Sequence, residues 1–386
     1  DDLALAATQD AVGRALGMWN GDASTAASDE AMNSVPPHAV WLLDGNILGI
    51  DAADGDTELT PLQRSEVVLQ LTVALDEQHH HLVQRRLDSE TRMAAQGMVA
   101  AGLGHAIWVH DQYVDEFTDD EQTEYANQVD DETVGYSATM QRVPPAFTAL
   151  RLVGQRLGPT FTTVLASDGT AAVERGLDDV PTALDQAMLP TSKYLRRDRT
   201  ESATAPAVPT GAQLEFRTQG GPMLLFLMAA TGNPANEALN AADGWGDDAY
   251  TVYRVDDRVC VDMHVVADSR DDADLIEQAL EGWAAARPAE AEALVGRNGT
   301  NLYASACDPG DDVEQRVPDQ AMIDQFFGRS DMIVRQMKDD IDPAVADCVA
   351  VEFFSRYSLI DLRSGQLEID VVGEVAALTA DCTASV

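Results

Sequence analysis

Lysine and long apolar runs are what this sequence most lacks. Only Lys193 and Lys338 are lysines, and 25 Lys and Arg residues stand against 66 acidic ones, which gives a formal charge of −41. A chain this acidic repels phosphates and anionic lipid surfaces, so we expect no nucleic-acid partner. No run of about 18 apolar residues occurs, so we expect no transmembrane segment.

Several signatures of chemistry are also missing. There is no G-x-S-x-G, no G-x-x-x-x-G-K-[ST] and no G-x-G-x-x-G, so the α/β-hydrolase, P-loop and Rossmann classes lack their motifs. The four cysteines form no C-x-x-C pair and have no zinc-ligand spacing. They are either disulfides, which indicate an oxidising, extracytoplasmic compartment, or buried free thiols.

What is present is a globular composition. The chain has 386 residues with 45% hydrophobic content, enough for two or three domains with cores of their own. Residues 199–212, rich in Thr, Ala and Pro, are the best domain boundary. We predict an α+β, mainly α fold made of a helical domain (1–205), an α/β module (206–318) and a helical tail (319–386). The start at Asp1 suggests a mature form, and a lipid anchor on a removed leader stays open.

Local patterns predict the elements. Asp44-Gly45 between two apolar runs predicts a hairpin, and Thr60-Pro61 predicts a helix N-terminus. A second helix is expected over 89–113. In the α/β module, strands are expected over 250–255, 258–267 and 300–307, with a helix over 271–286.

The stretch EVVLQLTVALDEQHHHLVQRRL (66–87) reads as one helix with three consecutive histidines. Two of its faces carry apolar residues, so we expect it to be buried. The faces hold Leu69, Val73, Asp76 and His80, and Val67, Leu71, Leu75, Gln78 and Leu82.

A motif lies in the same stretch. Hairpin, polar loop and a helix of the form H-E-L-T-H-A-L-x-D-Q-H resemble secreted bacterial zinc metallopeptidases of the gluzincin type, found especially in actinobacteria. VPPAFTALRLVGQRLGPTF (143–161), DVPTALDQAMLPTSKYL (179–195), GWGDDAYTVYR (244–254) and Cys-Asp-Pro-Gly (307–310) are similar in the same order. The resemblance implies a zincin-like helical domain over the first part of the chain.

The family's metal chemistry does not carry over. Its first histidine, its general base and its second histidine fall on Leu69, Gln70 and Val73, and its third ligand falls on Gln96. Leucine and valine cannot ligate zinc, and a neutral glutamine cannot act as a base. The resemblance therefore implies a degenerate member without a cofactor. We expect a pseudo-peptidase of the cell envelope that binds a protein or peptide or serves as an accessory subunit.

Two other functions stay open. Asp76 and His80 could pair with each other, or could share a metal with His105 in a relocated hydrolase site. The third alternative is a structural envelope protein without a specific ligand.

The cysteines bear on the compartment. Cys260 and Cys307 fall on predicted strands of one module, whereas Cys348 and Cys382 fall in the tail. Local pairing predicts the disulfides 260–307 and 348–382, and with them a secreted or envelope-associated protein.

Overall fold

The structure, a computed structural model, describes residues 2–21, 23–34, 36–51, 58–196, 202–365 and 369–385. It is an α+β protein in which helices predominate, as the sequence predicts. The helices are α1 (Asp2–Leu16), α2 (Thr25–Met32), α3 (Pro61–His80), α4 (Leu82–Leu87), α5 (Arg92–Asp115), α6 (Asp119–Met140), α7 (Pro145–Ala166), α8 (Thr170–Asp178), α9 (Leu184–Met188), α10 (Gly221–Ala230), α11 (Ala235–Asp243), α12 (Arg270–Ala286), α13 (Gln320–Lys338), α14 (Pro343–Arg356), α15 (Leu359–Ser364) and α16 (Val371–Ser385). The strands are β1 (Ala39–Leu42), β2 (Ile47–Ile50), β3 (Gln213–Thr218), β4 (Trp245–Val255), β5 (Arg258–Ala267), β6 (Leu294–Asn298) and β7 (Asn301–Cys307).

The hairpin and the helix start are confirmed. β1 and β2 pair antiparallel, and Thr60 caps α3 with Gln63 in a capping box, with Pro61 in the first turn. The prediction of one continuous helix through 66–87 is wrong. His81 adopts a left-handed conformation (φ 54°) that ends α3, and α4 begins directly after it.

Helices α5 and α7 pack at glycines. A Cβ built on Gly104 would lie 2.5 Å from the Cα of Gly158, and one on Gly158 would lie 2.4 Å from the carbonyl oxygen of Ala100. A side chain larger than hydrogen at either position would force the helices apart. This close approach fixes α5, which carries one wall of the candidate site.

A five-stranded antiparallel sheet, in the order β3-β4-β5-β7-β6, forms the β part of the fold. Helix α10 lies in the core that this sheet shares with the helices, and all ten of its residues are buried. Asp248 on β4 accepts hydrogen bonds from the backbone N–H groups of Gly220 (2.7 Å) and Gly221 (3.0 Å), so a buried carboxylate caps the N-terminus of α10. Trp245, at the start of β4, is fully buried.

Helix α1 packs against β5 and β7. It also forms polar contacts with α12 and with the segment that follows β7. Trp283 Nε1 donates to the carbonyl oxygen of Leu16 (3.0 Å), and Arg14 forms an ion pair with Asp308 (2.6 Å). Gln315 Nε2 donates to the carbonyl oxygen of Arg14 (2.8 Å). The first helix of the chain is thereby held by residues far along it.

All four cysteines form disulfides, in the pairing that local proximity predicts, so the free-thiol alternative is wrong. Cys260–Cys307 joins directly opposed positions on β5 and β7. Cys348–Cys382 joins α14 to α16. Both bonds are consistent with a secreted protein. Within the described ranges, no helix is long and apolar enough to cross a membrane.

Candidate functional site

The site suggested by the metallopeptidase resemblance lies where α3 packs against α5. Leu69 and Val73 on α3 are half-buried. Gln70 instead serves the hairpin, because its Oε1 accepts a hydrogen bond from the backbone N–H of Trp41 (3.1 Å). Glu66, one turn earlier, accepts one from Ala39 N–H (3.0 Å). Side chains of α3 thus accept hydrogen bonds from backbone N–H groups at the edge of β1, as the carbonyl groups of a neighbouring strand would.

The third-ligand position also has a different environment. The Oε1 atom of Gln96 lies against Gly154 of α7, where a built Cβ would come within 2.8 Å of it. This oxygen is buried and has no hydrogen-bond partner among the described residues. Two apolar side chains and two amides, one of them directed at the hairpin and one at α7, do not fit a tetrahedral zinc site.

The three residues of the alternative site are not brought together. Asp76 is buried, and its Oδ2 lies 2.9 Å from Nδ1 of His105 on α5, so the ring N–H donates to this carboxylate. His80 belongs to another group, since its Nδ1 lies 2.8 Å from Asp178 and its Nε2 lies 3.3 Å from Glu174, both on α8. Of the two arrangements left open for Asp76 and His80, direct pairing with each other is therefore not the one found, since each residue has other partners.

Within the part of the chain that the structure describes, no three His, Cys, Asp or Glu side chains are arranged to hold a metal ion.

An apolar cleft borders the Asp76–His105 pair. It has a volume of about 170 Å³ and lies between α3, α4 and α5. Its walls are mainly aliphatic, and Asp76 and Arg86 supply its charged groups. The apolar lining consists of Val73, Leu82, Val83, Met98, Val99 and Leu103. Glu77 fixes α4 beside the cleft, because its Oε2 accepts a hydrogen bond of 2.6 Å from the backbone N–H of Val83.

The outer surface of α3 is apolar too. Leu71 and Leu75, one turn apart, are 45% and 52% exposed, so the expectation that both apolar faces would be buried is wrong. The hairpin that α3 carries adds Leu42 (49% exposed) and Ile47 (56% exposed). Exposed apolar side chains grouped on neighbouring elements are typical of interaction surfaces.

A second polar group joins the helices to the sheet. Lys193 Nζ is buried and lies 3.0 Å from Asp185, 2.6 Å from Asp268 and 3.2 Å from the carbonyl oxygen of Trp245. Burial lowers the pKa of Lys193, but the charges of the two aspartates raise it to about 12. The ammonium stays charged and holds the start of β4 in place. Sequence reasoning missed this role, although the scarcity of lysine was a signal.

Residues 202–206 of the predicted linker lie on the sheet. The backbone N–H groups of Ala203 and Thr204 donate to Asp247 Oδ2 (2.7 Å) and His264 Nδ1 (3.1 Å). Thr251 Oγ1 donates to the carbonyl oxygen of Pro206 (2.7 Å). The described part of the linker is thus ordered by buried polar side chains of β4 and β5, and residues 199–201 lie outside the described residues.

No protein family model, no curated protein and no solved structure matches this chain. The metallopeptidase resemblance therefore rests on its motifs alone, and the basis for a function is the geometry of the site.

Proposed function

We propose that this chain is a non-catalytic binding protein of an extracytoplasmic compartment, related to zinc metallopeptidases, that binds a protein or peptide at α3. The observation that carries the proposal is the apolar cleft between α3 and α5, in which Val73 stands at a position where the resemblance would require a zinc ligand. Burying an apolar side chain of the partner in this cleft would make the free energy of binding more favourable by about 25 cal/mol per Å² of apolar surface removed from water.

The chemistry of the partner follows from the surface. An apolar side chain of the partner would enter beside Val73 and Val99. Polar groups next to that side chain would contact Asp76 and Arg86, which line the same cleft. Leu71 and Leu75 lie on another face of α3 and form a second exposed apolar surface, apart from the cleft. A basic flank on the partner would be favoured by the net charge of −41.

The test is a selection of peptides from a random displayed library on the purified chain, followed by fluorescence anisotropy with the selected sequences. We expect apolar peptides whose affinity falls about tenfold or more in Val73→Gln, because apolar burial in the cleft is lost. The control is Leu275→Gln/Leu294→Gln, two exposed leucines on α12 and β6 (44% and 68%) outside the cleft. An equal loss of affinity in the control variant would contradict the proposal.

Metal content of protein purified without chelator or affinity tag separates binding from catalysis. Stoichiometric zinc that resists dialysis and is lost in His105→Ala would favour a hydrolase at the Asp76–His105 pair instead.

A further inference from the structure

A larger cavity lies away from the α3–α5 cleft, between α1, α7 and the edge of the sheet formed by β3 and β4. Its volume is about 450 Å³, within the range of about 300–1,000 Å³ that small-molecule sites occupy. Much of its wall is aliphatic or aromatic. The apolar part of the wall includes Val12, Leu16, Trp19, Phe147, Leu150 and Phe216.

The aromatic wall is fixed in place. Trp19 Nε1 donates to the carbonyl oxygen of Asp10 (3.1 Å), and the Trp19 ring meets Phe147 edge to face, with centroids 6.3 Å apart. A cavity whose walls are already held needs little ordering when a ligand enters, which favours affinity.

The polar part of the wall comes from three elements. Tyr250 on β4 is buried, and it lines the cavity together with Thr218 on β3 and the exposed Arg92 on α5. Burial raises the pKa of Tyr250, so the phenol is neutral at physiological pH. The cavity is thus lined by a guanidinium, which can bind a carboxylate with two charge-assisted hydrogen bonds, and by a neutral phenol, which can donate another.

The balance of charge at the cavity differs from that of the whole chain. Arg92 and Arg151 line it with a single acidic residue, Asp29. Asp29 pairs with Arg151 at 3.4 Å, and both side chains are more than half exposed, so this contact is weak. Two arginines against one carboxylate in the wall stand out in a protein with 66 acidic and 25 basic residues. The buried Asp248, which interacts with Arg92 and Tyr250 from behind the wall, already accepts hydrogen bonds from the Gly220 and Gly221 N–H groups.

We propose that this cavity binds a small amphipathic monocarboxylate, with its head group at Arg92 and the Tyr250 hydroxyl and its apolar body against Trp19, Phe147 and Leu150. Arg92 supplies charge-assisted N–H donors, which a carboxylate accepts better than any neutral head group does. The proposal concerns a different site from the α3–α5 cleft and does not depend on the function proposed for that cleft.

Isothermal titration of the full chain with octanoate, and with 1-octanol as the uncharged probe of equal length, tests the proposal. We expect saturable binding of one octanoate and binding of octanol weaker by about tenfold or more, the loss of a hydrogen bond to a charged group. Arg92→Gln should weaken octanoate binding by a similar factor and leave octanol binding unchanged. Leu150→Trp, which fills a half-buried part of the wall, should abolish binding of both probes.

Three controls keep the result specific. Circular dichroism and thermal unfolding establish that each variant is folded. Arg363→Gln removes an equally charged, exposed residue on α15 and should change nothing. Val73→Gln alters the α3–α5 cleft and should leave octanoate binding intact. If Arg92→Gln does not fold, Tyr250→Phe, which keeps the ring, takes its place, with a weaker octanoate affinity expected.

The proposal is overturned if octanoate shows no saturable binding. It is also overturned if octanoate binds folded Leu150→Trp as well as the native chain, if octanol binds as tightly as octanoate, or if binding is lost in Val73→Gln.

Discussion

Helices α3 and α10 differ in which kinds of residue they bury and which they expose. In α10 every residue is buried and none of them is charged. In α3 two leucines are about half exposed, while Asp76 and Glu77 are buried. Each buried acid has a defined partner, His105 for Asp76 and the start of α4 for Glu77. Helix α10 contributes stability through apolar burial, whereas α3 positions its neighbours through polar contacts and leaves apolar side chains exposed to solvent.

The largest expected effect is in α10. Phe226 is fully buried and meets Phe326 with ring centroids 5.3 Å apart. Phe226→Ala should lower the free energy of unfolding by about 3–5 kcal/mol, since a large cavity is left. Phe226→Leu, a smaller change in volume, should cost much less in the same urea titration. A cost below about 1 kcal/mol for the alanine variant would mean that α10 is not the centre of the core.

A buried polar contact in α3 ranks next. Asp76→Ala should cost about 1–3 kcal/mol, because the ring N–H of His105 loses its acceptor in a mostly buried position. His105→Ala and the double variant complete a thermodynamic cycle measured by denaturant unfolding. If the two single costs simply add, the pair does not couple α3 to α5, and the contrast with α10 loses its basis.

The polar end of α10 can be tested by pH. Burial raises the pKa of Asp248 to about 6 from an ordinary 3.8. Between these values the folded protein binds more protons than the unfolded chain, so the contribution of Asp248 to stability falls as pH rises, by at most about 1.4 kcal/mol per pH unit.

Asp248→Asn keeps an acceptor for the Gly220 and Gly221 N–H groups without a titrating proton. Its stability should fall less steeply than that of the native chain between pH 4 and 6, when both are measured by urea unfolding at several pH values. Parallel curves would show that Asp248 has an ordinary pKa.

The smallest expected effect on stability is on the exposed face of α3. Leu71→Gln/Leu75→Gln should change the free energy of unfolding by no more than about 0.5 kcal/mol per substitution, because both side chains already contact water. Thermal unfolding beside the Leu275→Gln/Leu294→Gln control checks this. A much larger loss in the α3 variant would show that these leucines belong to the core.

Much of the fold could be predicted from short-range signals. Thr60-Pro61 marked the start of α3 because capping acts over three or four residues, and Asp44-Gly45 marked the hairpin turn. Local pairing also gave both disulfides. Residues 213–243 had no predicted element, although α10 lies there, because GPMLLFLMAA is apolar on every side and shows no helical period.

The candidate site was harder to predict from the sequence than the fold. A sequence period shows which residues of α3 share a face but not which face packs inward, and of the two faces expected to be buried the one with Leu71 and Leu75 is exposed. His80 pairs with Asp178, 98 residues away in the chain, and such a partner has no local signal. The cavity at Arg92 and Tyr250 combines residues from α5 and β4 and is likewise visible only in the assembled fold.

The contacts of α1 have a consequence for the order in which the protein can mature. Leu16 and Arg14 are bonded to Trp283 and Gln315, which follow them by 267 and 301 residues. At a synthesis rate of about 5–20 residues per second, α1 waits roughly 15–60 s after its own synthesis before these partners exist. During that interval its apolar face needs a temporary cover, such as a chaperone. A chain cut short before residue 283 would leave that face permanently exposed and would be a natural target for proteolytic quality control.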